Sequence, residues 1–241
     1  MPNSKNPVNQ RSGASTNIIL TVIVLVFAVG VLGVVLWFGG QNKPQAANPG
    51  QEQPPAVVSP PGSNTLSTAP DKKVTLTEFV DFQCPQCHKI YEMLTKDLEQ
   101  KYQGKITFVT RNYPLPMHPL AQSAARSSEA AAAQGKYQQM YHALNEHWGE
   151  WAAQPDQQTP KTDPAQAQQQ FDRYAQEIGL DLNRYHQDLN SPQVTEKINK
   201  DKADGDKAGV QGTPSFFING RQIQLSSVQQ MYQEIDGQLA R

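Results

Sequence analysis

Cysteine is almost missing from this chain: Cys84 and Cys87 are the only two among 241 residues. A disulfide-stapled scaffold is excluded, because such scaffolds need several bridges to stand in for a core. There is no second cysteine pair, so a structural zinc site, which wants four ligands, has half its donors; His88 and His118 could be stray partners at most. No metal and no cofactor is expected. An excess of one charge is also lacking. Lys and Arg number 21 against 22 Asp and Glu, unlike the basic balance of a nucleic-acid binder, so no nucleic-acid partner is expected. After the apolar run near the N-terminus comes neither a convincing small-x-small cleavage site nor a cysteine to carry a lipid. The first absence argues against a cleaved secretory signal, and the second excludes a lipoprotein anchor.

That apolar run is the first positive feature. Ile18 to Phe38 is uncharged and 21 residues long, enough to span a bilayer core as a helix. Lys5 and Arg11 precede it and only Lys43 lies close behind, so the positive-inside bias leaves the N-terminus in the cytoplasm. The expected order is a cytoplasmic tail over 1–17, a single-pass anchor over 18–38, and an extracytoplasmic remainder, periplasmic or on the outer face. A long signal cut within the following linker is the alternative. Prolines at 44, 49, 54, 55, 60, 61 and 70, with few large apolar residues, predict a disordered Pro-rich linker over 39–70. Extended, it would reach roughly 100 Å.

Residues 71–241 then form one α/β domain. Val74, Leu76, Val80 and Phe82 alternate, with Phe79 on the other face, as in a central strand buried on both sides. The Cys-Pro-Gln-Cys motif follows at once, then a helix over His88 to Tyr102. A second strand runs from Lys105 to Arg111. Tyr113 to Pro119 is a proline-broken turn, and Leu120 to His147 is an Ala-rich stretch of high helix propensity. Residues 152–170 predict a loop. Three short helices follow, over Phe171–Gly179, Leu182–Leu189 and Val194–Ala208. A hairpin over Pro214–Ile223 turns at Asn219-Gly220. A capping box of Ser226 and Gln229 opens a last helix to Leu239.

A Cys-x-x-Cys between strand and helix has a specific use. Cys84 lies where unpaired helix N–H groups and the dipole stabilise a thiolate, the nucleophile of disulfide exchange. Cys87, one turn on, forms or resolves the bridge. Pro85 has no N–H and suits the helix start. Glu78 shares the strand face of Leu76 and Val80, so its carboxyl is expected beneath the cysteines, with burial raising its pKa and letting it relay a proton. A solvated glutamate at a strand edge is the rival reading. In Gly212-Thr213-Pro214, X–Pro can be cis. Such a loop opposite the cysteines would leave Thr213 backbone free to pair with a substrate strand. A trans proline in a plain turn is the default from these residues alone.

Four blocks in this order resemble a family. They are Phe79 to Cys87, Tyr113 to His118 with Ala121, Ala124 and Ala125, Ala131 to Leu144, and Gly209 to Gly220. Together they cover the domain, and the chain resembles DsbA-like thioredoxin-fold oxidoreductases of the membrane-tethered bacterial type. The resemblance implies an α/β thioredoxin fold with a helical insertion at about 113–208, between the second strand and a cis-proline loop, preceded by one transmembrane helix and a linker. It implies Cys84 as nucleophile, Cys87 as its partner, Glu78 as the buried acid, Pro214 as cis, and Thr213 as the residue presenting backbone to substrate. His118 is read as packing at a helix entry. Pro85 and Gln86 tune the redox poise. At Gln86 strong oxidants of the family often carry a histidine, which helps hold the thiolate, so the redox direction stays open.

The activity expected is thiol–disulfide exchange, as an oxidase donating its disulfide to exported proteins with cysteine thiols. A reductase or isomerase on the same fold is one alternative, and a tethered chaperone or binding module with structural cysteines is another. A membrane partner that reoxidises the pair is implied by the family. No separate dimerisation domain is evident, and a monomer is expected.

Overall fold

The structure, a computed structural model, describes residues 52–71, 73–157 and 159–241. The tail, the apolar run over 18–38 and the linker up to residue 51 lie outside the described residues. Among the described residues no helix is long and apolar enough to cross a membrane.

Five strands form one mixed sheet: β1 (Asn64–Ser67), β2 (Thr75–Val80), β3 (Thr107–Asn112), β4 (Ser215–Ile218) and β5 (Arg221–Ile223), ordered β1-β3-β2-β4-β5. The strand with apolar residues on both faces, β2, is the central one. Leu76 and Val80 face the main core, while Phe79 joins Val58, Tyr113, Val210 and Phe217 on the other side. It runs parallel to β3 and antiparallel to β4, so Glu78 sits between Thr110 and Phe216. The hairpin forms as its turn residues dictate: Asn219 and Gly220 both take positive φ, +48° and +85°, as a two-residue hairpin loop requires.

A parallel pair needs a crossover. It is supplied by α2 (Pro85–Ile90), a π-helical turn (Tyr91–Thr95) and α3 (Lys96–Lys101). This helical run starts three residues before His88, because Pro85 in its first turn has no N–H to leave unpaired. The insertion between β3 and β4 holds α4 (Ala121–Ala132), α5 (Tyr137–Glu146), α6 (Trp148–Trp151), α7 (Pro164–Glu177), α8 (Leu182–Leu189) and α9 (Pro192–Ala208). The Ala-rich stretch is therefore two helices, broken at Gly135, where φ is +72°. The loop expected over 152–170 ends early, since Asp163 accepts the N–H groups of Ala165 and Gln166 and starts α7. The final helix, α10 (Val228–Leu239), is capped one residue later than expected. Ser227 accepts the Gln230 N–H, and the Gln230 side chain accepts the Ser226 N–H.

The linker needs the largest correction. From Glu52 onward it is part of the fold, not a disordered tether reaching to residue 70. The Gln53 N–H donates to the Gly220 carbonyl at 2.7 Å. A short helix, α1 (Pro55–Val58), carries Pro55 in its first turn, and β1 pairs antiparallel with β3. Val58, Leu66 and Ala69 are buried. Arg111, wholly buried on β3, donates to the carbonyls of Val57 and Val58 and pairs with Asp201 and Asp204 of α9 at 2.6 and 2.9 Å. A segment too polar to order itself is ordered here because the domain partners its backbone groups.

Candidate active site

Strand β2 ends at Val80, and four residues carry the chain into α2. Cys84 is the N-cap of that helix, with extended backbone, and Cys87 lies one turn on. Both are free thiols. Cys84 is 6 % exposed and Cys87 2 %, so the first cysteine is the more accessible. Its Sγ lies 3.5 Å from the Thr213 carbonyl. The Thr213–Pro214 bond is cis, and β4 starts at the next residue, antiparallel to β2. The sheet thus brings together two pieces 129 residues apart in sequence. A groove of about 720 Å³ runs alongside, lined by Gln86, Ile90, Gly212, Thr213, Pro214 and Phe216 among others. Of the expected site residues, Gln86, Thr213 and Pro214 line this groove, whereas Pro85 lines a separate cavity.

The two thiols are unlike. Cys84 is lowered from 9.0 to about 6. The Cys87 thiol hydrogen-bonded to it is the chief cause. Burial opposes, and the Thr213 hydroxyl and the N–H groups of Cys87 and Gln86 add to the lowering. That hydroxyl is buried, near enough to act on the sulfur but without a partner in hydrogen-bond geometry. Cys87 moves the other way: burial pushes its thiol well above the ordinary range, and the bond to Cys84 and the charges of Cys84 and Glu78 push it further.

Glu78 is buried as the strand period requires, and the rival reading of a solvated edge carboxyl fails. Burial raises it from 4.5 to about 8, against the lowering effect of the Tyr141 hydroxyl, which donates to its Oε2 at 3.1 Å. The charges of Glu99 and Cys84 add to the rise.

Asp81, Gln83 and His118 were not read as site residues, yet they hold the redox turn. Asp81 Oδ1 accepts the Gln83 N–H, and its Oδ2 accepts the Leu115 N–H and meets His118 Nδ1. The Gln83 side chain bonds the Ala152 and Lys161 carbonyls and the Leu120 N–H. Polar residues on both sides of Phe82, in an otherwise apolar strand end, were the available signal. Among the described residues no group of three His, Cys, Asp or Glu side chains is placed to hold a metal ion.

The family model described as thioredoxin matches residues 67–237. A thioredoxin-like oxidoreductase from Silicibacter pomeroyi DSS-3 superposes with TM-score 0.59 at 26% identity, over 77% of this chain and 96% of that one. The thiol-disulfide exchange protein alpha-DsbA2 from Wolbachia pipientis superposes with TM-score 0.61 at 20% identity, over 76% and 90%. Na(+)/H(+) antiporter NhaA 1 of Mycolicibacterium gilvum is 32% identical over 157 residues, which are 63% of this chain and 22% of that protein. The chain spans a quarter or less of the curated relatives it matches, so their antiporter name is not carried over. With the strand-to-cysteine junction, the cis-proline loop and the helical insertion in these positions, the chain belongs to the thioredoxin family, in the DsbA-like form of its fold.

Proposed function

We propose that the protein is a thiol–disulfide oxidoreductase that works as an oxidase, donating a Cys84–Cys87 disulfide to exported proteins. The observation that carries this is the asymmetry of the pair. Cys84 sits against the cis-proline loop with its thiol lowered toward the thiolate, while Cys87 is more deeply buried with its thiol pushed up. A substrate thiolate attacks Cys84 Sγ of the disulfide. The Cys84–Cys87 bond breaks, Cys87 takes the electron pair, and a proton then reaches its sulfur, with Glu78 the nearby acid. A second substrate thiolate attacks its own sulfur in the mixed disulfide and expels Cys84 as thiolate. Two substrate thiols are oxidised and the pair is reduced. A leaving thiol of low pKa departs fastest. Thr213 and Pro214 line the groove where the substrate backbone lies, Pro85 and Gln86 set the helix start, and a membrane redox partner returns the pair to its disulfide.

The direction of transfer is tested by stability. Because the folded pKa of Cys84 lies below its unfolded value, the thiolate contributes stability that is complete above pH 9 and is lost as pH falls through about 6. This belongs to the dithiol form alone. It amounts to about 1 kcal/mol at pH 7 once solvent screening of the partly exposed sulfur is allowed for. The opposing loop entropy removed by a disulfide is least for so short a loop. Denaturant melts of both forms are expected to show the dithiol as the more stable at neutral pH, with the gap closing toward pH 5. A disulfide form more stable at every pH would favour the reductase reading.

Placement outside the cytoplasm, on an anchor formed by Ile18 to Phe38, belongs to the same proposal and rests on the apolar run and the charges flanking it. Reporter fusions after residue 60 are expected to be active only outside the cytoplasm. N-terminal sequencing of the membrane fraction is expected to find the run retained. A mature chain starting within residues 40–51 would show a cleaved signal instead.

A further inference from the structure

The turn that delivers Cys84 is held by one side-chain pair. Asp81 is fully buried, and its backbone carbonyl accepts the Cys84 N–H at 3.1 Å. Its Oδ2 meets His118 Nδ1 at 2.7 Å. A carboxylate can only accept, so Nδ1 carries its proton toward Asp81. Among the described residues no hydrogen bond engages the other ring nitrogen, Nε2. The His118 side chain is 14 % exposed. It lines, with Pro85, a cavity of about 220 Å³. The other side chains there, among them Gln83, Met117, Trp148 and Pro160, carry no charge. Cys84 is joined to this pair through the Asp81 carbonyl and immediately precedes Pro85, which shares the cavity with His118, so the charges that act on the ring are those of Asp81 and Cys84.

We propose that His118, oriented by Asp81, supplies the positive charge that stabilises the Cys84 thiolate, a charge that the neutral Gln86 within the motif does not carry. This deepens the exchange reading above and rests on it. The Asp81 bond is the main cause that raises His118, burial opposes it, and the charges of Asp81 and Cys84 add to the rise. Coupling between two titrating sites is mutual: a thiolate that favours the imidazolium is favoured by it equally. Asp81 offsets part of the imidazolium field at the sulfur, so the effect on Cys84 is moderate. His118 is a positioning and tuning residue and exchanges no electrons or protons with the substrate. When the disulfide forms the thiolate is gone, and His118 loses one of the two charges that hold its proton.

The test follows the His118 ring by NMR through a pH titration of the full chain, once as dithiol and once as disulfide. The midpoint is expected to be higher in the dithiol form. Equal midpoints in the two forms would overturn the proposal, and this readout needs no mutation. In His118→Gln, which keeps a donor for Asp81 and loses the charge, the Cys84 ionisation constant is expected to fall about threefold, read from thiolate absorbance. The rate of exchange should then drop about threefold on the acid side of the profile, near pH 5, and stay unchanged at pH 8. A uniform loss at all pH values would mark a structural role alone and would count against the proposal. Alkylation of wild-type Cys84 on the same samples separates the two readings. An unreactive Cys84 sinks the exchange reading, whereas a reactive Cys84 beside a redox-independent His118 sinks only this one.

Discussion

Replacing Cys84 by serine is expected to abolish thiol–disulfide exchange, and replacing Cys87 by serine to leave substrates covalently bound to Cys84. A serine hydroxyl at the head of α2 does not ionise near neutral pH, so the helix-end N–H groups and the Thr213 hydroxyl have no anion to stabilise. The Cys87 change removes a different step. The serine hydroxyl can still donate to the Cys84 sulfur in place of the Cys87 thiol, and the Thr213 and helix-start groups remain, so Cys84 still forms mixed disulfides, but the buried thiol that would resolve them is gone. Insulin reduction and peptide oxidation measure the first effect, and non-reducing gels of extracts containing Cys87→Ser measure the second. Retained exchange in Cys84→Ser would sink the mechanism. Fast alkylation of Cys84 in the folded wild type also sets it apart from a binding module whose cysteines are merely structural, because structural thiols resist the reagent.

Glu78→Gln is expected to make the protein more stable and slower. A buried carboxyl raised from 4.5 to about 8 stays protonated in the fold while the unfolded chain ionises. Stability linked to this group is complete below pH 4.5 and is lost as pH rises through about 8. The loss amounts to roughly 3 kcal/mol at pH 7 by linkage. Glutamine keeps an acceptor for the Tyr141 hydroxyl and removes the titration. The variant should gain stability on that order at pH 7 and little or nothing at pH 4, read from denaturant midpoints. Transfer of the disulfide to substrate should slow by roughly tenfold or more, since the buried Cys87 sulfur released in that step loses its nearby proton donor. A carboxyl with no function would give the stability gain without the slower step. A solvated one would give neither.

The strand, the cysteine pair at the helix start, the Asn219-Gly220 hairpin and the face occupied by Glu78 were legible in the sequence. Each rests on short-range rules, namely a period of two along β2, proline in a first turn, and the φ demands of a two-residue loop. Such rules need only a few neighbouring residues. Helix boundaries within the insertion were read less well, because Gly135 and the Asp163 cap act on single backbone groups inside stretches of uniform composition.

Three things were decided by the tertiary structure. Residues 52–70 read as a tether because their own apolar content is low, yet β3 supplies a partner strand and the Arg111 guanidinium takes the Val57 and Val58 carbonyls. Glu78 could be assigned to a face, but its protonation depends on burial in the packed core, opposed by the Tyr141 hydroxyl from a helix 63 residues away. Asp81 and His118 are 37 residues apart and meet only because the insertion folds back over the redox turn. Local sequence sets backbone conformation and facing. The surroundings that fix the charge of a buried group, its desolvation and its distant partners, come from segments brought together by the packed chain.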